Sequence, residues 1–154
     1  MKRQRIYLDT SVFGGYYDEE FSIHTISLFK QIGERRFQVL LSSITLMELE
    51  KEPIDVQSLV DILPPQNVEL FEVSDAALRL ANKYIQEKVI GDKNLNDCLH
   101  ISLATIKKAD FLISWNFKHV VNVNRIRGYN VVNLREGYDT LDIRSPREFE
   151  DYEA

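Results

Sequence analysis

At 154 residues the chain is long enough for one domain with a substantial core, and its 44% hydrophobic and 28% charged content excludes extensive disorder. A formal net charge of -5 excludes sequence-blind nucleic-acid binding through bulk charge, so a nucleic-acid substrate requires a local basic patch or a metal to offset phosphate repulsion. The single cysteine, Cys98, cannot form an internal disulfide, and no apolar run reaches membrane-spanning length. The basic start MKRQRIYLDTSVF meets an aspartate too early for a signal peptide, so the expected setting is reduced and cytoplasmic.

In chain order, residues 5–9 (RIYLD) predict a short, largely buried strand, broken off by Gly14-Gly15. Ile23, Ile26, Phe29 and Ile32 recur at helical spacing over residues 21–36. Residues 37–42 read as a second strand, and Thr45 opens a short helix carrying Met47, Glu48 and Glu50. Another helix is expected over residues 54–63, stopped by Pro64-Pro65. Residues 68–73 form a third strand, and Ser74 caps a helix over residues 75–89. A polar loop over residues 91–96 leads into an amphipathic helix from Asp97 to Lys108, followed by a strand over residues 110–114. Residues 130–134 are assigned to a final strand, and Ser145-Pro146 in the charged tail marks a helix start.

Strands alternating with helices predict an α/β fold, a three-layer α/β/α sandwich with a mainly parallel central sheet. Residues 1–138 are expected to form the domain and residues 139–154 a charged C-terminal tail with a short helix.

Parallel α/β sheets build their sites beyond the carboxyl ends of the strands. Asp9 ends the first strand, Glu48 lies in the first turn of the helix after the second, Asp97 opens a helix after a loop, and Asn116 follows the strand ending near Ser114. All four are therefore expected on one rim. Each acid also has a structural reading: Asp9 as a turn cap, Glu48 as the capping-box partner of Thr45, and Asp97 as a charge on a helix dipole. Clustered carboxylates resist ionisation without a cation, and oxygen ligands suit Mg²⁺ or Mn²⁺ better than zinc. Such a metal acidifies water and polarises phosphoryl oxygens, which points to phosphodiester hydrolysis.

Four segments carry a resemblance: YLDTSVF at Tyr7 to Phe13, SSITLMELE at Ser42 to Glu50, DCLHISLA at Asp97 to Ala104 and ADFLISWNFKH at Ala109 to His119. In order and spacing they resemble the PIN-domain nucleases, including the VapC-like bacterial members. The resemblance implies a small parallel α/β endoribonuclease using Mg²⁺ or Mn²⁺, with Asp9, Glu48 and Asp97 as acidic ligands and Ser11 as a supporting hydrogen-bonder. Asn116 stands where many relatives carry a fourth acid, which weakens metal binding. It also implies an RNA substrate, and for toxin members a small antitoxin partner; a homodimer is a further expectation.

An alternative stays open: a PIN-fold RNA-binding or protein-interaction module with weakened catalysis. A haloacid-dehalogenase-type phosphatase is disfavoured, because it wants a second aspartate where Ser11 stands. Lys118, His119, Arg125 and Arg127 are candidate substrate contacts, weighed against solvated surface charge. His100 is read as a buried hydrogen-bonded residue, Trp115 as packing or a base-stacking ring, and Cys98 as a core residue. Lys2, Arg3 and Arg5 belong on the opposite edge of the sheet.

Overall fold

The computed structural model describes residues 2–149. Five strands form one all-parallel sheet: β1 (Gln4–Leu8), β2 (Phe37–Ser42), β3 (Val68–Phe71), β4 (Phe111–Ile113) and β5 (Ile143–Arg144), in the order β3-β2-β1-β4-β5. The chain leaves β1 toward β2 and β3, then returns to lay β4 on the other side of β1. The reversal of strand order therefore falls between β1 and β4.

Strand side chains alternate between faces, and the core divides accordingly. Ile6, Leu8, Val39, Leu41 and Ile113 face one hydrophobic cluster, while Tyr7, Leu40, Leu112 and Ile143 face the other. The first is covered by α1 (Thr10–Gly15), α2 (Ser22–Gly33), α3 (Ser43–Leu49) and α4 (Ile54–Gln57). The second is covered by α5 (Asp75–Gln86), α6 (Leu95–Ile106) and α7 (Val123–Arg135). Every residue from Cys98 to Thr105 is buried, so α6 is enclosed by neighbours on nearly all sides. The expected three-layer α/β/α architecture is the observed one.

Local chemistry sets several boundaries. Ser74 caps α5, its side chain accepting from the Ala77 N–H, as expected. Helix α3 starts two residues before Thr45, because Ser42 at the end of β2 is its N-cap and accepts from the Thr45 N–H. Glu48 thus falls beyond the first turn and is no capping partner of Thr45. The helix expected over residues 54–63 is α4 followed by a 3₁₀ helix, Ser58–Ile62.

The strand assigned to residues 130–134 is instead part of α7. Tyr129, Val132 and Asn133 are buried while Val131 and Leu134 are exposed, which is helical spacing, and the Asn122 side chain caps the start. The last strand is β5, which pairs with β4 and brings part of the segment expected as a tail into the sheet. Pro146–Phe149 form a 3₁₀ helix after Ser145, at the expected helix start, and the remainder of the tail lies outside the described residues. Among the described residues no helix is long and apolar enough to cross a membrane.

Candidate active site

A pocket of 410 Å³ opens at the carboxyl edge of the sheet, where the strand order reverses. Asp9, Ser11, Glu48, Asp97 and Asn116 all line it, together with Thr10, Lys51, Glu52, Asn96 and His100.

Asp9 follows β1 directly. The register pairs Leu8 with Ile113, so Asp9 lies against Ser114 at the end of β4. Its N–H donates to the Ile113 carbonyl at 3.3 Å. Oδ1 accepts from the Ser11 N–H at 2.8 Å and the Ser11 hydroxyl at 2.5 Å, and Oδ2 accepts from the Ser114 hydroxyl at 2.6 Å. Asp9 is therefore the N-cap of α1 as well as a pocket acid, and Ser11 donates to it from both its N–H and its hydroxyl. The side chain is 4% exposed, a charge held by oriented donors rather than by bulk water.

Glu48 reaches across from α3 to α6. Its Oε1 accepts from Thr10 Oγ1 and from the Nε2–H of His100, both at 2.6 Å. On the other side of the His100 ring, Nδ1 lies 2.6 Å from the Tyr7 hydroxyl, which also meets Ser42 Oγ at 2.7 Å. A polar chain thus runs from Ser42 at the end of β2, by way of Tyr7 and His100, to Glu48 in the pocket. Burial alone raises the Glu48 pKa, but the hydrogen bond and charge of His100, with Thr10 and Asn96, bring it below the ordinary value. For His100, burial lowers the pKa, while Glu48, Asp9 and Asp97 together raise it above the ordinary value. The imidazole is buried as expected, and its partnership with Glu48 is the finding the sequence did not carry.

Asp97, in the first turn of α6, lies 3.1 Å from His119 Nδ1, and its Oδ1 accepts at 3.4 Å from the Asn116 amide. Burial raises its pKa; His100 and His119 oppose that, and the nearby Asp9 carboxylate adds to it. Asn116 lines the pocket, but its Oδ1 accepts from the His119 N–H at 3.0 Å and closes a tight turn after β4.

The basic candidates separate. His119 joins the acids through Asp97. Arg125 donates to the Val89 carbonyl at 2.7 Å and the Lys118 carbonyl at 3.0 Å, and lines a different cavity with Gly91 and Asp92. Lys118 and Arg127 are exposed and do not line the acidic pocket. Arg5 pairs with Glu69 at 3.0 Å and shares the opposite edge with Lys2 and Arg3, as expected. Trp115 is 5% exposed, with its face stacked on Phe21 at 4.1 Å and its Nε1–H donating to Thr25. It is packing, not a free stacking ring. Lys51 and Glu52 also line the pocket; their signal in the sequence is their position one turn beyond Glu48.

The donor chemistry fits a hard cation: carboxylate and amide oxygens around one solvent-reached pocket. The atoms are not gathered for one. Among the described residues no group of three His, Cys, Asp or Glu side chains is placed to hold a metal ion. The carboxylates of Asp9, Glu48 and Asp97 are turned toward neighbouring donors instead.

The all-parallel five-stranded sheet, with an acidic pocket at its point of strand reversal, matches the PIN-like α/β fold. Solved structures bear this out. The chain matches one from VapBC2 of Rickettsia felis, bound to a DNA fragment from their promoter, with TM-score 0.56 and 19% identity, over 92% of this chain and 98% of that one. FitAcB from Neisseria gonorrhoeae matches with TM-score 0.59 and 12% identity, over 92% and 98%. VapC20 of Mycobacterium tuberculosis, described as a sarcin-ricin loop cleaving toxin, matches with TM-score 0.51 and 14% identity, over 73% and 91%. The fold is that of the VapC and FitB PIN-domain toxins. No protein-family profile matches the chain, and no curated protein does.

Proposed function

We propose that the protein is an endoribonuclease that hydrolyses RNA phosphodiesters with Mg²⁺ or Mn²⁺, and that it acts as the toxin of a toxin–antitoxin pair. The observation that carries this reading is the convergence of Asp9, Glu48, Asp97 and Asn116, far apart in sequence, on one pocket of a PIN-like sheet.

Asp9, Glu48 and Asp97 are the residues to hold the cation, with Asn116 at the fourth corner. Bound there, the cation would offset carboxylate and phosphate charge and make water more acidic. The chain's own groups prepare that task. Ser11 and Ser114 fix the Asp9 carboxylate, His100 and Thr10 fix Glu48, and His119 sits on Asp97. Loading requires Glu48 and Asp97 to share their oxygens between these partners and the cation, so binding is expected to be weak. His119 Nδ1 lies 3.1 Å from the Asp97 carboxylate, at the edge of the acidic cluster.

An antitoxin needs an apolar landing surface. Ile23 and Ile26 on α2, Met47 on α3 and Ile54 on α4 are all exposed, on the helices that flank the sheet beside the pocket. The VapBC2 match supports this reading of a partner. A homodimer is a second use of exposed apolar surface.

The engaged carboxylates and the neutral Asn116 favour one alternative, a PIN-fold binding module with weakened catalysis. Titrating Mg²⁺ and Mn²⁺ into the protein with mixed single-stranded RNA separates the two. Metal-dependent cleavage lost in Asp9→Asn supports the nuclease. RNA binding without cleavage at any metal concentration favours the module.

A further inference from the structure

We infer that Lys51 is the phosphate contact of the acidic pocket, holding the backbone of a single-stranded nucleic acid against the rim. This rests on the pocket being a phosphodiester-cleaving site. The pocket wall carries Asp9, Glu48, Glu52 and Asp97, and a polyanion approaching it is repelled. The cations expected to offset that repulsion lie elsewhere: Arg125 is committed to backbone carbonyls in another cavity, and Lys118 and Arg127 lie outside the lining. Lys51 is the lysine that lines the pocket.

Its placement follows from the helix before it. Lys51 comes three residues after Glu48, one turn further along, and its N–H donates to the Glu48 carbonyl at 3.2 Å. The turn is pinned from both sides. The Gln57 amide donates to the Glu50 carbonyl at 3.3 Å and the Glu52 carbonyl at 2.7 Å, and Pro53 leads directly into α4. The backbone that carries Lys51 is therefore fixed while its side chain is not. Among the described residues the ammonium makes no ion pair or hydrogen bond, although Glu48 and Glu52 share the same pocket. An ammonium on a fixed turn meets a phosphate as a point charge, without the planar geometry a guanidinium imposes.

The test uses the full chain and a fluorescent single-stranded RNA. Binding is read by anisotropy across a salt series in an Asp97→Asn background, and KM and kcat are read in the otherwise native protein. Lys51→Ala is expected to weaken binding about tenfold and to flatten the slope of log K against log salt by about 0.7. It should raise KM with little change in kcat, the signature of lost uniform binding. Lys51→Arg should retain most of the affinity, and Lys83→Ala, on a separate cavity of α5, should change nothing. Cleavage with KM and salt slope unchanged in Lys51→Ala overturns the role of Lys51 and leaves the nuclease reading standing. An equal loss in Lys83→Ala overturns it too, because the effect is then bulk charge. A native protein that neither cleaves nor binds RNA overturns the nuclease reading and this inference with it.

Discussion

Replacing His100 by leucine keeps the buried volume similar and deletes both ring hydrogen bonds. The side chain is 3% exposed, so water cannot replace them in place. The bonds of the ring to Glu48 and to Tyr7 are both lost; after the change Tyr7 keeps Ser42, and Glu48 keeps Thr10. Together the losses are worth about 2–3 kcal/mol. For a chain of this size that lowers Tm by about 4–12 °C. The pH dependence follows from the two shifts. His100 has a raised pKa, so its contribution is full below its ordinary value of 6.5 and is lost as pH rises through the higher folded value. Glu48 has a lowered pKa, so its contribution is full above its ordinary value of 4.5 and is lost as pH falls through the lower folded value. The Tm gap between native protein and variant should therefore be widest between 4.5 and 6.5 and narrow on either side. Calorimetry across that range is the assay. A gap below about 2 °C, or one flat with pH, refutes the paired-charge account of Glu48.

Three further outcomes are expected. Ser114→Ala removes a hydroxyl that donates to Asp9 and accepts from the Asn116 N–H, and should cost about 2 kcal/mol, seen as a shifted denaturant midpoint with unchanged slope. Gly15→Ala puts a Cβ 2.6 Å from Trp115 Nε1 and 2.9 Å from Thr25 Oγ1, so about 1–3 kcal/mol of overpacking should appear with a change in tryptophan fluorescence. Cys98 is buried, and that burial pushes its thiol up to about 12, so a disulfide reagent should label it only as fast as the protein unfolds.

The rim was readable because it depends on strand ends. β1, β2 and β4 are apolar runs with clear stops, and parallel topology then fixes where Asp9, Glu48, Asp97 and Asn116 meet. What stayed hidden depends on contacts between distant residues. The link between Glu48 and His100 joins positions 52 residues apart, and nothing local marks it. The strand expected over residues 130–134 failed because Val131 and Val132 look extended in isolation, while burial of Tyr129, Val132 and Asn133 against the neighbouring helices decides for α7. β5 has two residues, too few for any alternating pattern to register. The basic residues misled for a related reason: position after a strand gives the rim, but not which way a long side chain turns, and Arg125 turned to the Val89 carbonyl.

The hydroxyl of Ser114 meets Asp9 across 105 positions of chain, on a strand that docks only after everything between has been made. Contacts between positions so far apart in sequence carry the loop-closure cost of all the chain between them. On a ribosome, Asp9 emerges early but lacks its β4 neighbour until most of the polypeptide has been synthesised. A nascent chain therefore cannot assemble the acidic pocket until the segment that carries β4 has emerged.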